Sequence, residues 1–398
     1  MKKVTLQRVG ICLFCVTLIG GGLLTVGPNV KSIAKQTLSG MKNGYAQNAT
    51  IEGLLKGTIS GIEAGVSDVV FGKEAYINLY GLSERLLGKH YIRDTNVSQS
   101  VIKDNNGQLQ FATNKVDTTP YAEEIEQVNA LLEEKEIPFI YVQTPLKVIE
   151  GYTKLPNSIL DYAEMNTDTF KAQLEEKGVD VLDLRENVKS SDLDYSTLFY
   201  NTDHHWRTET AFWAVGEVVS YLKETEGIDL DPNQYYTDSN NYESLFYKQN
   251  FLGSQGRRVG KYYGGLDDYT LMLPKFDTSY EVTINKSNGS TVAEGTFEEA
   301  IIKKNLLNDK SVFTNRYASY FGGDFPEVVI KNKKAEKDFK VLIVKDSFAI
   351  PFSAFFSTMV SETRMLDTRY YEGEVTDYIE SYNPDLVLYV YKSINTQK

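Results

Sequence analysis

The chain has 398 residues, 41% hydrophobic and 24% charged, an ordinary globular composition that excludes collagen-like, low-complexity and wholly disordered architectures. Lys plus Arg number 42 against 54 Asp plus Glu, a net charge of -12. The first 42 residues hold six bases and no acid, so the remainder carries 36 bases against 54 acids and repels a phosphate backbone; no nucleic-acid partner is expected.

Lys2, Lys3 and Arg8 precede an uncharged run from Val9 to Val26. At about 1.5 Å per residue the run reaches roughly 27 Å, enough to span a bilayer. A basic start followed by an apolar core is the pattern of a secretory targeting segment. Residues 1–28 are therefore read as a signal anchor that holds an extracytoplasmic body at the cell membrane. Cleavage near Ser32-Ile33-Ala34, giving a secreted body, is the alternative. Both cysteines, Cys12 and Cys15, fall inside the run, so the body has no disulfide and no cysteine-ligated zinc. A cysteine-free exported body suits a bacterium.

Residues 29–66, rich in Lys, Ser, Gly and Asn, read as a partly helical stalk, and residues 67–398 as one α/β domain. Within it a helix is expected over Ala75–Leu87, and a hairpin where Asp104-Asn105-Asn106-Gly107 separates two short apolar runs. Alternating elements follow. Helices are expected over Tyr121–Lys135, Asp161–Lys177, Arg207–Lys223, Pro351–Val360 and Val375–Ser381. Strands are expected over Pro138–Val142, Val179–Leu184, Val341–Val344, Thr363–Asp367 and Asp385–Tyr391. Short apolar strands alternating with helices build right-handed βαβ units, hence a parallel sheet with helices on both faces. The interval 225–332 breaks the rhythm and reads as an irregular, β-containing insertion packed on the sheet.

In an open parallel sheet, ligands bind at the carboxyl ends of the strands. That rule selects Gln143–Lys147, Asn201–Trp206, Asp346-Ser347-Phe348 and Asp367–Tyr370. Of three histidines, His204 and His205 are adjacent and flanked by Asp203 and Trp206. A nucleophilic hydroxyl needs a base near neutral pH, and the base needs an orienting carboxylate. Asp203 and His205, two apart in an extended segment, project to one side, and His204 to the other. Ser347 follows a strand and precedes a helix whose first amides suit an oxyanion. Three readings stay open on residue types alone. These are the triad, plain helix capping by Ser347 and Asp203, and a metal site of Asp203, one His and Glu209. Lys147 and Arg369 are candidates to hold substrate. The 27 Tyr suit sugar faces and plain packing alike.

Asp203-His204-His205-Trp206 is also the signature that names the bacterial DHHW protein family, which the chain resembles from about Phe71 to Tyr391. Matching blocks include Thr144-Pro145-Leu146-Lys147, Phe251-Leu252-Gly253-Ser254, Gly322-Gly323-Asp324, Lys345-Asp346-Ser347-Phe348 and Asp367-Thr368-Arg369-Tyr370-Tyr371. That family is similar to the SGNH-hydrolase-like domains of alginate O-acetylation proteins, in which an Asp-x-His motif followed by Trp precedes the nucleophilic serine. The resemblance implies an SGNH-hydrolase-like fold with Asp203 as orienter, His205 as base and Ser347 as nucleophile. No cofactor and no metal are called for. It also implies a multi-pass membrane-bound O-acyltransferase as partner. The sequence departs from the alginate proteins at His204.

The expected activity is O-acyl transfer, acetyl above all, to a cell-surface or exported polysaccharide through an acyl-serine. The Ser347 amide and a donor from Gly253 or Ser254 would hold the oxyanion. Arg369, Tyr370, Lys147 and Trp206 are the candidates for contacting substrate. A carbohydrate esterase with the same triad and a noncatalytic polysaccharide-binding or assembly component are the alternatives.

Overall fold

The computed structural model describes residues 2–392, with the side chains of residues 2–11, 13, 14 and 16–18 outside the description. The chain divides into two compact units, Met1–Leu79 and Tyr80–Lys398.

The first unit is a helical hairpin. A helix over Lys2–Gln47 turns at residues 48–50 into a second over Ile51–Asp68, capped by Thr50, whose side chain accepts from the Gly53 amide at 3.2 Å. The stalk expected over 29–66 is thus helical on both sides of a short turn. Among the described residues no helix is long and apolar enough to cross a membrane. More than half of the side chains of the anchor expected over 1–28 lie outside the description.

The second unit opens with a small sheet of β1 (Tyr91–Ile92), β2 (Val101–Lys103) and β3 (Leu109–Gln110). Two strands, β4 (Phe139–Gln143) and β5 (Val181–Asp183), then enter the main sheet. An antiparallel ribbon of β6 (Tyr242–Phe251) and β7 (Asp267–Pro274) stands apart from it. The main sheet is completed by β8 (Tyr280–Lys286), β9 (Gly289–Gly295), β10 (Glu327–Asn332), β11 (Lys340–Lys345), β12 (Glu362–Leu366) and β13 (Leu386–Tyr391). Its order is β5-β4-β13-β11-β12-β10-β8-β9.

The first five strands in that order are parallel, and β10, β8 and β9 continue the sheet antiparallel. The sheet is therefore mixed, mostly parallel on the side that carries the candidate residues. The interval 225–332, expected to pack on the sheet, instead extends its edge by three strands. The reason is local: Val282 and Ile284 of β8 and Val328 and Ile330 of β10 fall at alternate, buried positions and need a ladder partner, which β12 supplies to β10.

The parallel strands are apolar at successive positions because both faces are covered. In β11, Val341 and Ile343 pack with the helices Thr208–Thr225 and Ala349–Phe356. Leu342 and Val344 pack on the other face with the helices Thr119–Glu134, Ala163–Glu176 and Val375–Tyr382. Each such side chain, fully buried, contributes about 1.5–3 kcal/mol. Strand order changes direction around β13, which lies between β4 and β11, and the carboxyl ends there form a crevice.

Candidate active site

Ser347 stands in the turn between β11 and the helix Ala349–Phe356. Asp346 shapes that turn. Its carboxylate accepts from the Phe348 amide at 2.9 Å and, at the end of β13, from the Lys392 amide at 3.0 Å. The Ser347 side chain is half-buried, and its amide has no acceptor among the described residues.

The histidines sit on a bent loop over 199–206, not on the extended segment expected from sequence. The loop is closed by a bridge between Phe199 and Trp206 and by a bond from the Tyr200 amide to the His205 carbonyl. At its tip Asp203 folds back on its own chain, accepting from the His205 amide at 3.0 Å. The same oxygen, Oδ1, lies 2.5 Å from His205 Nδ1, and His205 Nε2 lies 2.7 Å from Ser347 Oγ. An Asx-type turn, rather than strand alternation, makes the pair. His204 consequently does not point away. Its ring lies 3.8 Å from that of His205, and its Nδ1 is 2.7 Å from Ser254 Oγ.

Burial alone would raise the Asp203 carboxyl. The His205 and His204 imidazoles and the bonds from His205 outweigh it and hold the group well below the usual carboxylate range. Burial, reinforced by the neighbouring His205, pushes His204 well below the usual imidazole range and keeps it neutral. The side chains of Asp203 and His205 are almost wholly buried, so this hydrogen-bonded line acts in a low-dielectric setting.

Four residues assigned to substrate or oxyanion have other tasks. The Lys147 ammonium donates to the carbonyls of Leu109 (2.8 Å), Asn201 (3.3 Å) and Asp203 (2.7 Å), so it clamps the base loop and has no donor left for a ligand. The Gly253 amide donates to Thr202 Oγ1 at 2.8 Å and the Ser254 amide to Asp203 Oδ2 at 2.6 Å, so neither is available to an oxyanion. Gly253 is glycine because a Cβ there would stand 2.2 Å from Asp203 Cβ. Trp206 is fully buried. Its indole N–H donates to the Phe348 carbonyl at 3.0 Å and to Tyr317 Oη at 3.1 Å, tying the base loop to the nucleophile turn.

Arg369 is engaged as well. It donates to both oxygens of Asp367, at 2.8 and 2.6 Å, and lies 3.0 Å from Asp324. Tyr370 is exposed, with the Arg369 guanidinium 5.4 Å from its ring. Of the nominated oxyanion donors, only the Ser347 amide remains free. Asp203, His204 and His205 place their ligating atoms within 4.8 Å of one another, but the facing atoms of Asp203 and His205 are committed to each other. Glu209, the other ligand considered, is exposed and outside that group.

Two braces carried no mark in the sequence. Tyr317 stacks on the His205 ring at 3.8 Å and 11°, and its hydroxyl donates to the Phe348 carbonyl. Asp267, deeply buried, accepts from the amides of Asn201 and Thr202 and from Thr202 Oγ1 at 2.6–2.8 Å. Tyr317 is one of 27 tyrosines, and Asp267 acts across 65 residues, so local spacing could expose neither.

Residues 106–248 match the family model described as SGNH hydrolase-like domain, acetyltransferase AlgX. The match takes in Asp203 and His205 and ends before Ser347, so the serine enters through distance alone. No curated protein matches the chain. Among solved structures the fold is similar to that of Bacillus cereus PatB1, solved with a sulfonyl adduct. Identity is 24%, TM-score 0.61, with 75% of this chain and 98% of that one covered. It is also similar to a DHHW family protein from Eubacterium siraeum, at 16% identity and TM-score 0.52, covering 76% and 92% of the two chains. Residues 106–248 are thus similar to an SGNH hydrolase-like domain, and the chain shares its fold with a DHHW family protein.

Proposed function

We propose that the protein is an extracytoplasmic O-acyltransferase that moves an acyl group, acetyl by preference, onto a cell-surface or exported polysaccharide through an acyl-serine. The observation that carries this reading is the continuous line from Asp203 through His205 to Ser347, at 2.5 and 2.7 Å. Ser347 Oγ attacks the acyl carbonyl while its proton passes to His205 Nε2, and the free Ser347 amide faces the developing oxyanion. The donor's leaving oxygen takes that proton as its bond to the acyl carbon breaks. An acceptor hydroxyl then gives its proton to His205, attacks the acyl-serine and leaves as the ester, and the proton returns to Ser347. Asp203 stays ionised and fixes the His205 tautomer.

The match to an acetyltransferase-described family over the acid–base half of the site supports acetyl transfer. The basic start and uncharged run Val9–Val26 support an exported, membrane-tethered body, and the resemblance to alginate O-acetylation proteins supports a multi-pass acyltransferase partner. A half-buried Ser347 hydroxyl also suits hydrolysis, so an esterase with the same triad is the second reading. Hydrogen-bond distances throughout the triad speak against a noncatalytic role.

The test is a p-nitrophenyl acetate assay with and without oligosaccharide acceptors. Acetylated oligosaccharide, formed by wild type and lost in Ser347→Ala, is the expected result. Release of free acetate alone selects the esterase, and inactivity of wild type defeats both readings.

A further inference from the structure

The helical hairpin of the first unit is built inside out. Its seam is glycine: a Cβ on Gly40 would stand 2.4 Å from the Gly57 carbonyl oxygen, and one on Gly44 2.3 Å from that of Gly53. Gly53, Gly57, Gly61 and Gly65 are the buried residues of the second helix. The aliphatic side chains turn outward. Ile51, Leu55, Ile59 and Ile62 are 44–78% exposed, and Val30, Leu38 and Tyr45 are more than half exposed. A glycine seam offers almost no apolar side chain to bury, so the hairpin alone leaves this surface in water.

The faces are ordered. At about 100° per residue, each helix shows a glycine face, then an aliphatic stripe, then a charged edge, in the same rotational sense. The helices run antiparallel and meet through their glycine faces, so this shared order puts both stripes on one side of the hairpin. The charged edges lie at its two outer margins. Lys31, Lys35 and Lys42 form one margin; Glu52 and Glu63, with Lys56 paired to Glu52 at 2.7 Å, form the other. Among the described residues, Lys31, Lys35, Lys42 and Glu63 make no ion pair.

We infer that this face binds the same face of a second copy of the chain, closing a four-helix bundle. A two-fold axis parallel to the helices sets the first helix of one copy against the second helix of the other, basic margin on acidic margin. The glycine register places Gly61 against Gln36 and Thr37, so Lys35 stands level with Glu63, and this axis keeps that level between copies. A bilayer surface fits less well, because an anionic headgroup layer that attracts the lysines repels the acidic margin. In the second helix the aliphatic positions 51, 55, 59 and 62 recur at three and four residues, the spacing of bundle-forming helices, and in the first the outward positions 30, 38 and 45 recur at about twice that.

The experiment is sedimentation of the full-length chain in a mild non-ionic detergent, with far-UV circular dichroism to follow helix content. Wild type is expected to be a dimer. Leu55→Glu with Ile59→Glu, both at exposed positions, raises the dissociation constant about tenfold or more at unchanged helicity. Lys35→Glu weakens the dimer, and Lys35→Glu combined with Glu63→Lys restores it. A monomeric wild type, including one that binds vesicles of anionic and zwitterionic lipid, overturns the inference. So does a dimer indifferent to all of these substitutions.

Discussion

The two loops that build the triad are held in contrasting ways. The nucleophile turn is presented by regular structure: β11 ends, the helix Ala349–Phe356 begins, and two bonds to the Asp346 carboxylate fix the turn between them. The acid–base loop has no strand or helix under it and is held by buried polar groups from distant segments. Lys147 clamps its carbonyls, Asp267 its amides, and Gly253 and Ser254 close on Thr202 and Asp203. A serine set by secondary structure tolerates change around it. A histidine set by a polar lattice depends on every member, because a buried group left unpaired costs its full desolvation.

The largest expected effects fall on the triad, where the two loops meet. Ser347→Ala should remove covalent turnover altogether, and Asp203→Asn should lower the acylation rate by about 10²–10⁴-fold while leaving a measurable remainder. Steady-state hydrolysis of p-nitrophenyl acetate reads both. If the contrast holds, the next effects lie on the acid–base side. Asp267→Ala strands the Asn201 and Thr202 amides and removes one of the buried acids near Lys147, and should cost about 3–5 kcal/mol in urea unfolding.

Gly253→Ala drives a methyl against Asp203 and should cost about 1–3 kcal/mol, with a loss of activity beyond what the change in stability explains. Trp206→Phe is the mildest, about 1 kcal/mol, because Tyr317 still donates to the Phe348 carbonyl. An equal cost for Ser353→Ala, in the helix behind the nucleophile, and Asp267→Ala would erase the distinction between the loops.

A pH profile sharpens the same point. Burial pushes the Lys147 ammonium down to about 8 from an ordinary 10.5, with Asp267 and Asp203 opposing the shift. The unfolded chain then binds more protons than the folded one between those values, so this residue adds stability as pH rises from about 8 to 10.5. The gain is at most about 3 kcal/mol. Thermal melts of wild type and Lys147→Met across that range should diverge accordingly, with the variant flatter.

The parallel half of the sheet was legible because strands buried on both faces must be continuous apolar runs, as in Val341–Val344 and Leu386–Tyr391. The antiparallel extension was not, since β10 joins β8 and β12 only across long separations, and only the β8–β9 hairpin is local. Scarce histidines, two of them adjacent, left the triad one of three open readings, and the resemblance at Asp203–Trp206 and Asp346-Ser347-Phe348 singled it out. The supporting residues were visible as residues and misread in task. Lys147, Trp206, Gly253 and Ser254 carry donors suited to a substrate, and only the fold shows those donors turned inward on the base loop or, for Trp206, on the nucleophile turn. Residue type announces what a group can bind, and long-range packing decides what it does bind.

The central claim is that Ser347 carries the acyl group. Intact-mass spectrometry after incubation with p-nitrophenyl acetate tests it most directly, with wild type, His205→Ala and Ser347→Ala side by side. The account predicts one added acetyl mass on wild type, mapping to the peptide that contains Ser347, much less on His205→Ala and none on Ser347→Ala. An unmodified wild type, or an adduct that persists in Ser347→Ala, would contradict it.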